Sequence, residues 1–80
     1  MINSIVAGNW KMNKTPKEGK IFTEKMISDI GSLGDTNVII CPPYIGLTSL
    51  LKSSKYNLGA QNCYFEDSGA FTGEISVEML

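Results

Sequence analysis

The run Asn37-Val38-Ile39-Ile40-Cys41-Pro42 constrains the fold of this chain more than any other stretch. It is continuously apolar where a half-exposed strand would alternate, which predicts a parallel strand covered on both faces. Pro42-Pro43 ends it, because proline donates no hydrogen bond to a ladder. The flanks supply the helices that parallel pairing needs. Thr15-Pro16-Lys17-Glu18 combines an N-cap, a proline at the first helical position and the acidic residue of a capping box. Phe22, Met26, Ile30 and Leu33, joined by Ile21 and Ile27, then recur at helical spacing and predict a core-facing stripe ending near Ser32, with Gly34 as the stop. After the proline pair, Tyr44, Leu47, Leu50 and Leu51 predict a shorter amphipathic helix that ends near Ser53-Ser54.

Two further strands complete the pattern. Ser4 to Gly8 is the first, and Asn57-Leu58-Gly59-Ala60-Gln61 is a short third whose small residues admit close backbone approach. The order is β-α-β-α-β, an α/β arrangement of parallel strands with right-handed crossovers.

Eighty residues allow one small domain at most. The net charge of −1 is spread over interspersed lysines and acids, and there is no arginine. Neither a basic stripe for nucleic acid nor a polybasic arm for a membrane is present, so no nucleic-acid or membrane partner is expected. Met1-Ile2-Asn3-Ser4 lacks the features of a signal peptide, and no apolar run approaches the roughly 20 residues of a membrane span. Cys41 and Cys63 are expected as free thiols in a reducing cytoplasm.

The chemistry concentrates at the end of the first strand, in Val6-Ala7-Gly8-Asn9-Trp10-Lys11-Met12-Asn13. Period-two alternation puts Ile5, Ala7, Asn9 and Lys11 on one face and Val6, Gly8, Trp10 and Met12 on the other. One face thus passes from small apolar residues to an amide and an ammonium, as suits a strand opening into a polar pocket at its carboxyl end. The second unusual stretch is residues 62–75, N-C-Y-F-E-D-S-G-A-F-T-G-E-I, which is long for a βα connection. Its aromatic residues Tyr64, Phe65 and Phe71 either form a contact surface or fold back to bury one another. A phosphate-cradling role for its Ser, Gly and Thr residues lacks both the G-x-x-x-x-G-K-[ST] and the G-x-G-x-x-G pattern.

The word G-N-W-K-M-N after a short strand resembles the first strand of the triosephosphate isomerase family. G-A-Q-N at 59–62 and S-G-A-F-T-G-E at 68–74 resemble that family's third strand and third loop, in the right order and at compatible spacing. The resemblance implies a (β/α)₈ TIM barrel of about 250 residues, with residues 1–80 as the N-terminal portion of that single domain. It implies interconversion of dihydroxyacetone phosphate and glyceraldehyde 3-phosphate through an enediolate, in glycolysis and gluconeogenesis, without metal or cofactor. By resemblance Asn9 binds the substrate, and Lys11 is both a substrate-binding and a catalytic residue whose cation faces the phosphate and the developing enediolate oxygen. The third loop is implied to enter a second subunit of a homodimer, with Tyr64, Phe65, Phe71 and Thr72 at the interface and Thr72 near the partner's site.

The family's histidine electrophile and glutamate base come from later strands. This chain has no histidine, and its glutamates fall on helices or the third loop. The 80 residues alone are therefore expected to be inactive, as part of a longer chain. Two other readings are a non-catalytic barrel piece that acts in assembly and a different phosphosugar enzyme on the same barrel. The second is disfavoured because the match includes pocket residues as well as scaffold.

Overall fold

A computed structural model describes residues 4–31, 34–51 and 55–80. Strand β1 (Ile5–Asn9), helix α1 (Pro16–Ile30), strand β2 (Asn37–Cys41), a 3₁₀ turn (Tyr44–Gly46), helix α2 (Leu47–Leu50) and strand β3 (Asn57–Leu58) follow one another. The strands form a 3-stranded sheet in the order β1-β2-β3. Both pairings are parallel, with Ile5 opposite Asn37, Asn9 opposite Cys41 and Ile40 opposite Leu58. The expected β-α-β-α-β order and parallel sheet are thus present.

Helix α1 begins as its sequence dictates. The Glu18 N–H donates to Thr15 Oγ1 at 3.2 Å, and the Thr15 N–H donates to a Glu18 carboxylate oxygen at 3.0 Å. These two bonds satisfy donors that a helix start leaves without partners. The helix ends at Ile30, short of Ser32, because Gly31 takes φ 69° and turns the chain before Gly34 is reached. Leu33 and the end of the second helix at Ser53-Ser54 lie outside the described residues.

The core sits between the sheet and the helices. Ile40, Leu50 and Tyr56 are buried, with Trp10, Met26, Ile27, Val38 and Leu58 packed against them. Tyr56 donates its hydroxyl to the Leu50 carbonyl at 3.0 Å, which satisfies the polar end of a buried ring. Period two explains the selection: Trp10, Val38, Ile40 and Leu58 share the helix-side face. The buried positions of α1 are Gly19 and Thr23. Small residues there let the helix approach Trp10, and the predicted stripe is correspondingly rotated. Met26 and Ile27 reach the core, while Phe22 remains 44% and Ile21 58% exposed.

The opposite face of the sheet is open. Ile5 is 65% exposed, and β2, expected to be covered on both faces, is covered on one. The reason is topological, since the helices pack on one side of the sheet. The surface of 6140 Å² exceeds the roughly 4,700 Å² of a compact monomer of this mass. The 14.2 Å radius of gyration likewise exceeds the roughly 12 Å expected for such a length.

Candidate active site

The carboxyl ends of the strands are tied together by a small hydrogen-bond network. The Trp10 N–H donates to the Cys41 carbonyl at 3.1 Å, and the Gly59 N–H donates to the Ile40 carbonyl at 2.9 Å. Gly59 eases the close approach there, because a Cβ would lie 3.0 Å from Cys41 Sγ, tighter than ordinary contact. Beyond Leu58 the expected third strand gives way to a side chain. Gln61 Nε2 donates to the Lys11 carbonyl at 2.8 Å and to the Cys41 carbonyl at 3.0 Å.

Asn9 and Lys11 are joined at this end by a local turn, and not by the strand alternation expected from their spacing. Asn9 Oδ1 accepts the Lys11 N–H at 2.9 Å. Lys11 has φ 55°, in the left-handed region that a non-glycine residue occupies at a cost of about 1–3 kcal/mol. Strict alternation therefore stops at Asn9, and the backbone turns at Lys11. Both side chains are exposed in this chain.

The loop between β1 and α1 is braced from behind. Trp10 stands against Gly19 of α1 and meets Phe22 edge to face, with ring centroids 5.6 Å apart. Lys14, at φ 72°, places Nζ 4.6 Å from the Phe22 centroid and 5.8 Å from that of Trp10. Asn13 Nδ2 donates to the Trp10 carbonyl at 2.8 Å. The cations at 11 and 14 are thereby separated in role. Lys14 covers aromatic rings, whereas Lys11 is exposed just past the strand end.

The aromatics of residues 62–75 stack on one another. Tyr64 lies 4.6 Å from Phe65 and 4.7 Å from Phe71, centroid to centroid. Stacking does not hide them, since Phe65 is 81% and Phe71 41% exposed. The loop thus folds on itself and still presents an aromatic surface. Its base is closed by a bridge between Tyr64 and Ser76, and Tyr44 hydrogen-bonds to the backbone carbonyl and side-chain amide of Asn62. Desolvation, followed by the nearby Cys63 and Glu74, raises the Tyr44 phenol above its ordinary value. Ser76 is buried and accepts the Met79 N–H at 3.2 Å, as an N-cap does.

Thr72 is exposed, and among the described residues no hydrogen bond joins it to Asn9 or Lys11. Cys41 and Cys63 are free thiols. Among the described residues no helix is long and apolar enough to cross a membrane. Gln61 is the site residue that sequence reasoning passed over. Its spacing fits the end of a short strand, and only its place beside two strand-end carbonyls reveals it.

The comparisons with known proteins agree on one family. The family model described as triosephosphate isomerase matches residues 4–80. The triosephosphate isomerase of Streptococcus gordonii is 49% identical over 78 residues, which is 94% of this chain and 31% of that protein. That of Streptococcus pyogenes serotype M2 is 46% identical over 95% of this chain and 31% of its own length. That of Natranaerobius thermophilus is 45% identical over 100% of this chain and 32% of its own length. The chain thus spans about a third of the length of these curated relatives. With a matching family model across nearly all of its residues and a parallel sheet that carries Asn9 and Lys11 at its carboxyl end, the chain belongs to the triosephosphate isomerase family.

Proposed function

We propose that these residues form the N-terminal portion of a (β/α)₈ barrel whose complete protein is a triose-phosphate isomerase. It interconverts dihydroxyacetone phosphate and D-glyceraldehyde 3-phosphate through an enediolate, in glycolysis and gluconeogenesis, in the cytoplasm. The observation that carries the reading is the Asn9–Lys11 pair at the carboxyl end of β1. Asn9 Oδ1 is engaged by the Lys11 backbone, which leaves its amide N–H groups for the substrate. Lys11 brings an ammonium fixed at its root by an unusual backbone turn. A cation held in place before reaction stabilises the negative oxygen that forms as a proton leaves the neighbouring carbon.

The proton transfers need a base and an electrophile, and this chain has no histidine. Alone it is inactive in this reading. The loop at 62–75 is the surface of a homodimer, supported by the exposure of Phe65 and Phe71, with Tyr64 stacked between them and Thr72 toward the partner's site. In an isologous pair each loop would bury these rings against the other subunit.

The test is Lys11→Met in the complete protein. The fold should persist while kcat/KM falls about 10²–10³-fold, equivalent to roughly 3–4 kcal/mol of transition-state stabilisation. Near-normal kcat/KM at unchanged thermal stability would remove Lys11 from the mechanism.

A further inference from the structure

We propose that Tyr44 is a positioning residue for the loop at 62–75, its hydroxyl fixing the angle at which the loop presents its aromatic surface to a second copy of this chain. This inference rests on the homodimer reading given above. The loop is a closed unit carried on a short neck. Its Tyr64 N–H donates to the Ile75 carbonyl at 2.7 Å, which joins the two ends, and the Glu74 N–H donates to the Phe71 carbonyl at 3.1 Å. Tyr64, Phe65 and Phe71 stack on that frame, and a Cβ on Gly69 would stand 2.7 Å from the Phe71 ring. The rings therefore move with the loop as one body. The neck before the closure is Asn62-Cys63, both exposed and beyond the last ladder pair of the sheet, Ile40 with Leu58. Rotation at this neck would swing the whole aromatic surface.

Tyr44 grips the neck from a rigid base. It opens the 3₁₀ turn that follows the proline pair at the end of β2. Pro42 is fully buried, the Gly46 N–H donates to the Pro43 carbonyl at 2.9 Å, and the Leu47 N–H donates to the carbonyl of Tyr44 itself. The proline ring fixes φ at residue 43, so the turn enters its first residue with little freedom. From that base the half-buried ring carries its hydroxyl to Asn62, meeting the backbone carbonyl at 2.5 Å and the side-chain amide. A phenol has one hydrogen to give. Both contacts belong to the same residue, so the neck is tied to the end of β2 whichever oxygen accepts it, across a sequence separation of 18 residues. Without the hydroxyl the loop of a free subunit would relax, and association would have to remove that freedom again. Holding a contact surface in its bound arrangement beforehand lowers this cost. In an isologous dimer the effect enters twice, once from each subunit.

The experiment measures the dimer dissociation constant of the complete protein by fluorescence-detected sedimentation, for the native chain, Tyr44→Phe and a variant with 4-aminophenylalanine at position 44. Phenylalanine keeps the ring and removes the donor. With two straps lost per dimer, the constant is expected to rise about 10–100-fold. The amino group returns an N–H donor at the same ring position and is expected to bring the constant back to within about threefold of native. A hydroxyl that only stabilised the fold would count equally in monomer and dimer. It would lower the melting temperature and leave the constant within about twofold of native, and that result would overturn the inference, as would a loss that the amino group does not reverse. The reading beneath it is tested apart, by the variant in which a short turn replaces residues 63–74. If that variant stays dimeric, the homodimer reading of the loop falls first. If it is monomeric while Tyr44→Phe associates like the native protein, only the present inference falls. Should Tyr44→Phe not accumulate as folded protein, Tyr44→Leu is measured under the same criteria.

Discussion

Replacing Gly19 by alanine sets two effects of opposite sign against each other. Gly19 lies within α1, where alanine is favoured over glycine by about 0.8–1.0 kcal/mol. A generic helix would therefore be stabilised. Here a Cβ at residue 19 would come 2.8 Å from Trp10 Cζ3 and 3.4 Å from Cη2. The ring would have to retreat by roughly 0.8 Å to restore an ordinary carbon–carbon separation of about 3.6 Å. It has little room, because Phe22 stands edge-on beside it and Lys14 lies over both rings. Overpacking of this kind costs about 1–3 kcal/mol. The net expectation for Gly19→Ala in the full-length protein is a loss of up to about 2 kcal/mol in place of the propensity gain. Trp10 is also the link between α1 and the Asn9–Lys11 turn, so kcat/KM should fall alongside stability. Urea denaturation gives the first quantity and steady-state kinetics the second. Trp10→Phe, which removes part of the clashing ring, should make Gly19→Ala milder, with a coupling of about 0.5–3 kcal/mol. A variant roughly 1 kcal/mol more stable than native, with unchanged kcat/KM, would refute the reasoning.

Three further outcomes are expected. Thr15 hydrogen bonds hold Glu18 below its ordinary pKa of 4.5, so their contribution is present above that value and is lost as pH falls through the lower folded-state value. Thr15→Ala removes the cap hydroxyl and should cost about 1 kcal/mol of stability in urea denaturation, while the Glu18 titration followed by NMR stays below 4.5 because the backbone N–H of residue 15 still donates to its carboxylate; a return to 4.5 would contradict this. Replacing residues 63–74 by a short glycine-containing turn in the full-length protein should give a folded monomer with strongly reduced kcat, read by sedimentation equilibrium and rates on one sample; a persisting dimer would remove the loop as principal interface, and a monomer with full kcat would remove the role of Thr72. The isolated 80-residue peptide should show poorly dispersed amide signals and no turnover, and a well-dispersed monomer would count against dependence on further barrel elements.

What was legible in the sequence was mostly local. The capping box of Thr15 and Glu18 spans four positions and forms as read, because every partner lies within one helical turn. The stop after Cys41 follows from proline alone. The face of α1 was harder to read. Hydrophobic spacing favoured Phe22, but the closest approach to the sheet is made through Gly19 and Thr23, where smallness decides and hydropathy carries no signal. The turn at Lys11 was hidden for a related reason. Positive φ is advertised by glycine, and lysine gives no such mark. Gln61 was hidden by distance, since its partners lie 50 and 20 residues away and a glutamine at the end of a short strand has no pattern of its own.

Geometry and stability are therefore specified at different ranges in this chain. The site end of the sheet is held by directional bonds whose donors and acceptors all lie between Asn9 and Gln61. These hold the backbone at Lys11 without needing a large buried area. Burial is where the chain falls short: one face of the sheet is open, and Ile5, Val6, Ile45, Leu51 and Phe65 are each more than half exposed. Apolar surface left in water contributes nothing of the roughly 25 cal/mol per Å² that its burial would supply. Net hydrogen bonds of about 1 kcal/mol each cannot replace that term, so covering the open face of the sheet is expected to stabilise the strands on which the turn at Lys11 rests. The inactivity expected of the isolated chain would then have two separable causes, the want of a histidine electrophile and an open sheet face that leaves the strands poorly supported. A correctly shaped first strand remedies neither.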